Sequence, residues 1–324
     1  MNQCFIISLP RSGSTLLQRL LAAHPRIQTA GEPWLALSFA YALREKGARA
    51  EFSHRSMAQG VSEFVDALPG GTATYFREAG QMMERLHEAI ARDSRDWFLD
   101  KTPRYYLILD ELIAMFPGAK FIVLQRNPLA VIASILSTWH GGRFNFGSSE
   151  IDVYEGPRCI ARFVQKRHQN VLAVSYERLV AQPENELRAV TDFLGIAPVA
   201  STHLAENDPL KRAKLGDKTG VQRYSEVSAE PIDTWKKSFA SPLRKLWARR
   251  YLEWLGDDTL KLLGYEGATL LRELDSVSSS FGQAIHDLCD LRLRLFLLCS
   301  GARIDFVRQE RRDARARYRW KAQS

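Results

Sequence analysis

The chain has only four cysteines in 324 residues, Cys4, Cys159, Cys289 and Cys299, and none stands in a CxxC spacing. That excludes a zinc ribbon and a disulfide framework, and nothing calls for an oxidising compartment. No run of about 18 apolar residues occurs, so no transmembrane segment is expected. The N-terminus enters a strand-like run at once, with neither the basic n-region nor the cleavable apolar stretch of a leader. A cytoplasmic location is the default expectation. Acidic charge is in short supply: 45 Lys and Arg face 37 Asp and Glu, a net +8. The rest, 45% hydrophobic and 25% charged, is ordinary globular composition, enough for one large α/β domain or two small ones.

More than half of the positive excess lies near the C-terminus. Residues 303–321 hold eight Lys/Arg against three Asp/Glu. Such a stretch can attract nucleic acid, an acidic protein or an anionic surface. It also reads as a solvated terminal helix docked through Ile304, Phe306, Val307, Tyr318 and Trp320, which is the reading favoured here. No nucleic-acid partner is expected. Leu291 to Leu298 can support a helix–helix contact, which makes a homodimer a candidate assembly.

The most informative stretch is residues 5–32, FIISLPRSGSTLLQRLLAAHPRIQTAGE. A short apolar strand runs into Pro10-Arg11-Ser12-Gly13-Ser14-Thr15, and a leucine-rich helix follows. Unpaired amides at a helix start, together with the helix dipole, favour an anion. Arg11 and the hydroxyls of Ser12, Ser14 and Thr15 add donors. The GK[ST] ending of a nucleoside-triphosphate P-loop is missing, so a metal-bridged triphosphate fits poorly. One phosphate fits well. Alone, the same loop also reads as an ordinary βα turn.

Further on, apolar runs alternate with helical periodicity. Strands are expected at Phe5 to Leu9, Trp97 to Leu99, Lys120 to Leu124 and Val171 to Val174. Helices are expected over most of 34–96, over 105–116, from Asn127-Pro128 to Thr138, and over 183–194. Strand–helix alternation predicts an α/β fold with a central parallel sheet and helices on both faces. Ligands then bind beyond the carboxyl ends of the strands. There stand Arg11 to Thr15, Asp100-Lys101, Gln125-Arg126 and Ser175-Tyr176. Singly, Lys101 also reads as a surface lysine, Arg126 as a helix-start residue, Ser134 as a helix-face serine and Tyr176 as a half-buried aromatic. Their joint arrival at one rim favours a site.

These residues carry a resemblance to sulfotransferases that use 3′-phosphoadenosine 5′-phosphosulfate (PAPS), and it covers about residues 4–265. Pro10 to Thr15 resembles that family's 5′-phosphosulfate loop. Phe121 to Pro128 with Ser134 resembles its 3′-phosphate segment. Val174-Ser-Tyr-Glu-Arg-Leu-Val180, then Pro183 and Phe193-Leu-Gly195, is similar to the stretch that follows. The resemblance implies a P-loop-like three-layer domain over 1–270, with a helical basic extension over 271–324. It assigns Arg11 and Ser12, Gly13, Ser14 and Thr15 to the 5′-phosphosulfate, Arg126 and Ser134 to the 3′-phosphate, and Tyr176 to the adenine. It also makes Glu32 the catalytic base and Lys101 the transition-state lysine. Lys218-Thr219-Gly220, with Arg223, Trp235 and Lys236, resembles a cofactor-covering loop more loosely, because Thr234 stands where one branch has a lysine. No metal is implied.

In that chemistry a carboxylate takes the proton of an acceptor hydroxyl, and cations meet the charge growing on the leaving phosphate. The acceptor has two readings. Lys101-Thr-Pro and Phe116 to Phe121 echo tyrosylprotein sulfotransferases, which favours a peptide tyrosine. Gly31-Glu-Pro-Trp34 echoes glycan sulfotransferases. Residues 35–96 and 140–170 are expected to build the acceptor cleft, where Trp97, Trp139, His140, Arg143, Phe144 and Phe146 suit either ring stacking or a core. Basic neighbours suit an acidic peptide. A P-loop kinase-like protein and a non-catalytic nucleotide-binding module are the alternatives from other classes.

Overall fold

Strand β1, Asn2–Ile7, is apolar on both sides, with Cys4, Phe5, Ile6 and Ile7 each no more than 1% exposed. Such a strand needs helices over both faces, and the chain supplies them. The computed structural model describes residues 2–29, 35–43, 54–91, 96–146, 149–166, 169–198, 232–282 and 287. Glu32, Lys218, Thr219 and Arg223, the leucines of 291–298 and the basic stretch 303–321 lie outside the described residues.

Five parallel strands stand in the order β2-β3-β1-β4-β5, with β2 at Ile27–Thr29, β3 at Trp97–Asp100, β4 at Lys120–Gln125 and β5 at Val171–Ser175. The expected α/β class is what the chain adopts. From β1 the chain runs to the β2 edge, returns to β3, and then crosses to β4 on the far side of β1. Strand order therefore reverses at β1, which puts the loop after it where ligands bind in open parallel sheets.

Side-chain alternation divides the core. Cys4, Ile6, Ile122 and Leu124 pack with α1 (Ser14–Ala22), α8 (Tyr176–Ala181) and α9 (Pro183–Leu194). Phe5, Ile7, Phe121 and Val123 face the larger layer. That layer includes α2 (Leu35–Ala42), α4 (Gly71–Ile90), α5 (Leu109–Met115), α6 (Pro128–Trp139) and α7 (Glu150–Gln165). It is completed by α10 (Trp235–Ser238), α11 (Pro242–Leu255), α12 (Asp257–Leu262) and α13 (Gly267–Ser276). Helix α3, His54–Asp66, lies beside α2 and α4. No helix among the described residues is long and apolar enough to cross a membrane.

Two details depart from the expectations. The helix over 105–116 is a 3-10 turn, Pro103–Leu107, followed by the short α5. Strand β2 and helix α7 had no counterpart among the expected elements. Of the aromatic residues suited to either use, Trp97 belongs to the core layer of Cys4 and Ile6, and Phe144 and Phe146 pack on Trp247 with ring centroids 5.1 and 5.2 Å away, so all three are core. Trp139, half exposed at the end of α6, remains available to a ligand.

His87 on α4 is buried, stacked on Phe98 at 3.8 Å, and shares a 2.9 Å hydrogen bond from Nδ1 to Oε1 of Gln3. Its Nε2 has no hydrogen-bond partner among the described residues. Protonation would place an unsolvated charge there, so burial lowers the pKa to about 4 from 6.5. Between those values the unfolded chain binds a proton that the folded protein refuses. Stability is full above pH 6.5 and falls as pH drops toward 4, at about 1.4 kcal/mol per pH unit. Urea midpoints measured from pH 7 to 4.5 should show this slope, and His87→Asn should flatten it. An unchanged slope in the variant would count against His87.

Candidate active site

The loop after β1 is shaped by two residues with positive φ, Arg11 at 67° and Gly13 at 92°. Arg11 is the only non-glycine residue of this kind among the described residues, and the conformation costs on the order of 1 kcal/mol. Gly13 caps α1, and its carbonyl accepts from the amides of Leu16 and Leu17 at 2.9 and 3.2 Å. The amides of Ser14 and Thr15 precede those first helical bonds and belong to the donor-rich helix start. Glycine is required at 13 for space as well: a Cβ there would sit 2.3 Å from Cδ2 and Cε2 of Tyr176. The first residue after β5 thus seals the loop after β1.

Arg126, directly after β4, reaches the same place. Its Nη1 donates to the Arg11 carbonyl at 2.7 Å, and its guanidinium lies 4.1 Å from the Tyr176 ring centroid. Arg11 Nε donates to Ser134 Oγ, on α6, at 3.2 Å. Arg11, Gly13, Arg126, Ser134 and Tyr176 therefore form one connected group, although the sequence separates them by up to 165 residues. Ser12 and Ser14 are buried and Thr15 half-buried in the same turn. Lys101 follows β3, the strand beside β1, and is only 1% exposed. The neighbouring Asp100 accepts from Thr102 Oγ1 at 3.1 Å and from the Tyr105 hydroxyl at 2.9 Å, which fixes the turn that carries the lysine.

Burial lowers the Arg126 pKa, and the Arg11 charge adds to that, while Tyr176, Glu177 and Tyr265 act oppositely. A guanidinium nonetheless stays charged in water-accessible pH ranges. Two cations held this close, one of them largely out of water, make a site that an anion stabilises. The donor set, two guanidiniums with helix-start amides and hydroxyls, fits a ligand with two separate phosphate groups.

Two parts of the site were not legible beforehand. Glu177 accepts from the Asn127 amide at 2.9 Å, from Ser175 Oγ at 3.2 Å and from the Tyr265 hydroxyl at 2.7 Å. It ties the ends of β4 and β5 to the C-terminal helices. The adjoining "YE" pair was its only sequence signal. At the β2 end, Gln18 Nε2 donates to Thr29 Oγ1 at 2.8 Å, and Thr29 Oγ1 donates to the Leu99 carbonyl at 2.7 Å. This fixes the chain three residues before Glu32. Glu32 and Thr219 themselves lie outside the described residues. Trp235 is buried in the core, and Lys236 pairs with Asp233 at 2.6 Å.

The sequence pattern of the sulfotransferase family matches residues 3–200, which take in every described member of this group. The chain belongs to that family. Nodulation protein NoeE of Sinorhizobium fredii is 28% identical over 294 residues, covering 81% of this chain and 66% of that protein. Protein-tyrosine sulfotransferase 1 of Danio rerio is 26% identical over 239 residues, covering 71% of this chain and 62% of that one. The chain thus spans about two thirds of the length of these two relatives. Among solved structures, the sulfotransferase domain of the Synechococcus PCC 7002 olefin synthase superposes with a TM-score of 0.56 at 25% identity. That alignment covers 81% of this chain and 94% of the domain. Family membership makes the protein a transferase and decides against the kinase-like reading.

Proposed function

We propose that the protein moves a sulfuryl group from PAPS to an acceptor hydroxyl, with a peptide tyrosine as the acceptor. The observation that carries the donor assignment is the connected group Arg11–Ser134–Arg126–Tyr176, which offers two cationic positions on neighbouring strand ends. Arg11 and the amides and hydroxyls of Ser12 to Thr15 hold the 5′-phosphosulfate. Arg126 and Ser134 hold the 3′-phosphate. Tyr176 fixes the two halves against each other through Gly13 and Arg126, and offers its ring to the adenine.

The reaction breaks one S–O bond to the 5′-phosphate and forms one to the acceptor oxygen. Glu32 takes the hydroxyl proton as the new bond forms. Lys101 and Arg11 face the oxygen on which charge grows, and a preorganised site meets that charge without rearranging. Lys101 suits the task because the strand end and the Asp100–Tyr105 contact hold it in place.

Support for a tyrosine acceptor comes from Lys101-Thr-Pro and from the protein-tyrosine sulfotransferases among the relatives. The Gly31-Glu-Pro-Trp34 stretch supports a sugar hydroxyl as the second reading. Labelled sulfate supplied as PAPS, offered to tyrosine peptides with acidic flanks and to a glycan pool, separates them. Label is expected in the peptides. Label in the glycans alone would replace the acceptor, and no transfer to either, with no PAPS binding, would remove the donor assignment.

A further inference from the structure

Tyr265 lies beyond the residues that carry the family pattern, on the turn between α12 and α13, yet its hydroxyl reaches into the donor site. Gly264 makes the turn with φ at 85°, and Gln125 Nε2 at the end of β4 donates to the Leu262 carbonyl at 2.8 Å. The turn is thereby docked on the strand end that precedes Arg126. Tyr265 donates at 2.7 Å to Oε2 of Glu177, the carboxylate that also receives the Asn127 amide and the Ser175 hydroxyl. Burial, reinforced by Glu177, keeps the phenol far above its ordinary pKa, so it remains a donor at every working pH.

The arrangement answers a conflict. Glu177 directly follows Tyr176, on whose ring the Arg126 guanidinium lies, and it supports the charge of Arg126 together with Tyr176 and Tyr265. A carboxylate with idle lone pairs next to a buried guanidinium would close a bidentate ion pair with it. That pair would compete directly with an incoming phosphate. Three donors from three separate segments instead occupy the Glu177 oxygens. The contact from Tyr265 is the shortest, and a hydrogen bond to a charged acceptor is among the stronger kinds.

We infer that Tyr265 is a positioning residue that holds Glu177 away from Arg126, so that Arg126 is presented to the 3′-phosphate of the donor nucleotide. The inference rests on the proposed donor site. It predicts a defect confined to ligands that carry a 3′-phosphate.

Calorimetric binding of adenosine 3′,5′-bisphosphate and of adenosine 5′-monophosphate tests it. The wild type should bind the bisphosphate much more tightly. Equal affinity for the two ligands would overturn the donor-site reading itself, and the inference with it. Given that preference, Tyr265→Phe should weaken the bisphosphate about tenfold, the loss expected when a charged competitor is released. The monophosphate should be unchanged. Adding Glu177→Gln to that variant should restore the bisphosphate, because a neutral amide cannot compete for the guanidinium. A general loosening would instead weaken both ligands equally and resist this rescue, and either result overturns the inference. Ser175→Ala keeps the test decisive if Tyr265→Phe folds poorly: it removes the other donor to Oε2 of Glu177, so it should weaken the bisphosphate several-fold and spare the monophosphate, and an equal loss for both ligands would sink the proposal.

Discussion

Glu32→Ala is expected to lower turnover by roughly 10²–10⁴, the usual contribution of a positioned general base. Affinity for adenosine 3′,5′-bisphosphate should stay at the wild-type value. The asymmetry follows from the division of labour in the site. Donor binding is assigned to the ends of β1, β4 and β5, whereas Glu32 is assigned to the acceptor proton alone. An uncharged alcohol is a weak nucleophile, so without a carboxylate its proton must leave to water in the transition state. Single-turnover transfer of labelled sulfate, with nucleotide binding measured on the same preparation, checks both halves. Near-normal turnover would assign proton removal to another group, and lost binding would move Glu32 into the donor site.

Arg126→Ala should have its large effect on binding. Removing one side of a largely desolvated charge contact costs a few kcal/mol, so affinity for the bisphosphate should fall by about 10²-fold or more. The monophosphate should lose far less, since it lacks the group that Arg126 is assigned to hold. Some loss of stability should accompany the change, because the Arg11 carbonyl loses its 2.7 Å donor and the Tyr176 ring loses its guanidinium. Comparing the two ligands separates these contributions: a structural defect weakens both, and a lost phosphate contact weakens one. Unchanged bisphosphate affinity would remove Arg126 from the 3′-phosphate site.

Elements that are apolar throughout were readable one residue at a time. Strand β4 and the start of α6 at Asn127-Pro128 came out close to their observed bounds, because a buried parallel strand and a helix-start proline both leave strong local marks. Strand β2 left none. It has three residues, Ile-Gln-Thr, and Thr29 is satisfied from outside the strand by Gln18 and the Leu99 carbonyl, while Gln28 donates to the adjacent Thr29 carbonyl. Helix α7 was hidden by Gly156-Pro157 in its middle. A proline at that position removes the amide that would bond the Val153 carbonyl. The Tyr251 hydroxyl, from α11, donates to that carbonyl at 2.7 Å, and the missing Cβ of Gly156 leaves room for Leu9. Both breakers are tolerated because of residues that local sequence cannot see.

The aromatic residues divide in the same way. Phe144 and Phe146 were equally suited to an acceptor cleft or a core, since either use asks only for a large flat apolar group. Trp247 and Phe239, a hundred residues downstream, made them core.

By itself the sequence determined the class of fold, and it supplied the donor-rich loop after β1 and the list of candidate donor-site residues. Those depend on local quantities: apolar periodicity, a glycine that can take positive φ, and the placing of cations after strands. Only the tertiary structure decided that Arg11 and Ser134 touch, that Gly13 must be a glycine because Tyr176 fills its Cβ position, and that Glu177 is held by Tyr265. The reason is physical. A parallel sheet sets the ends of distant strands side by side, and the contacts formed there depend on strand order, which no local window of sequence contains.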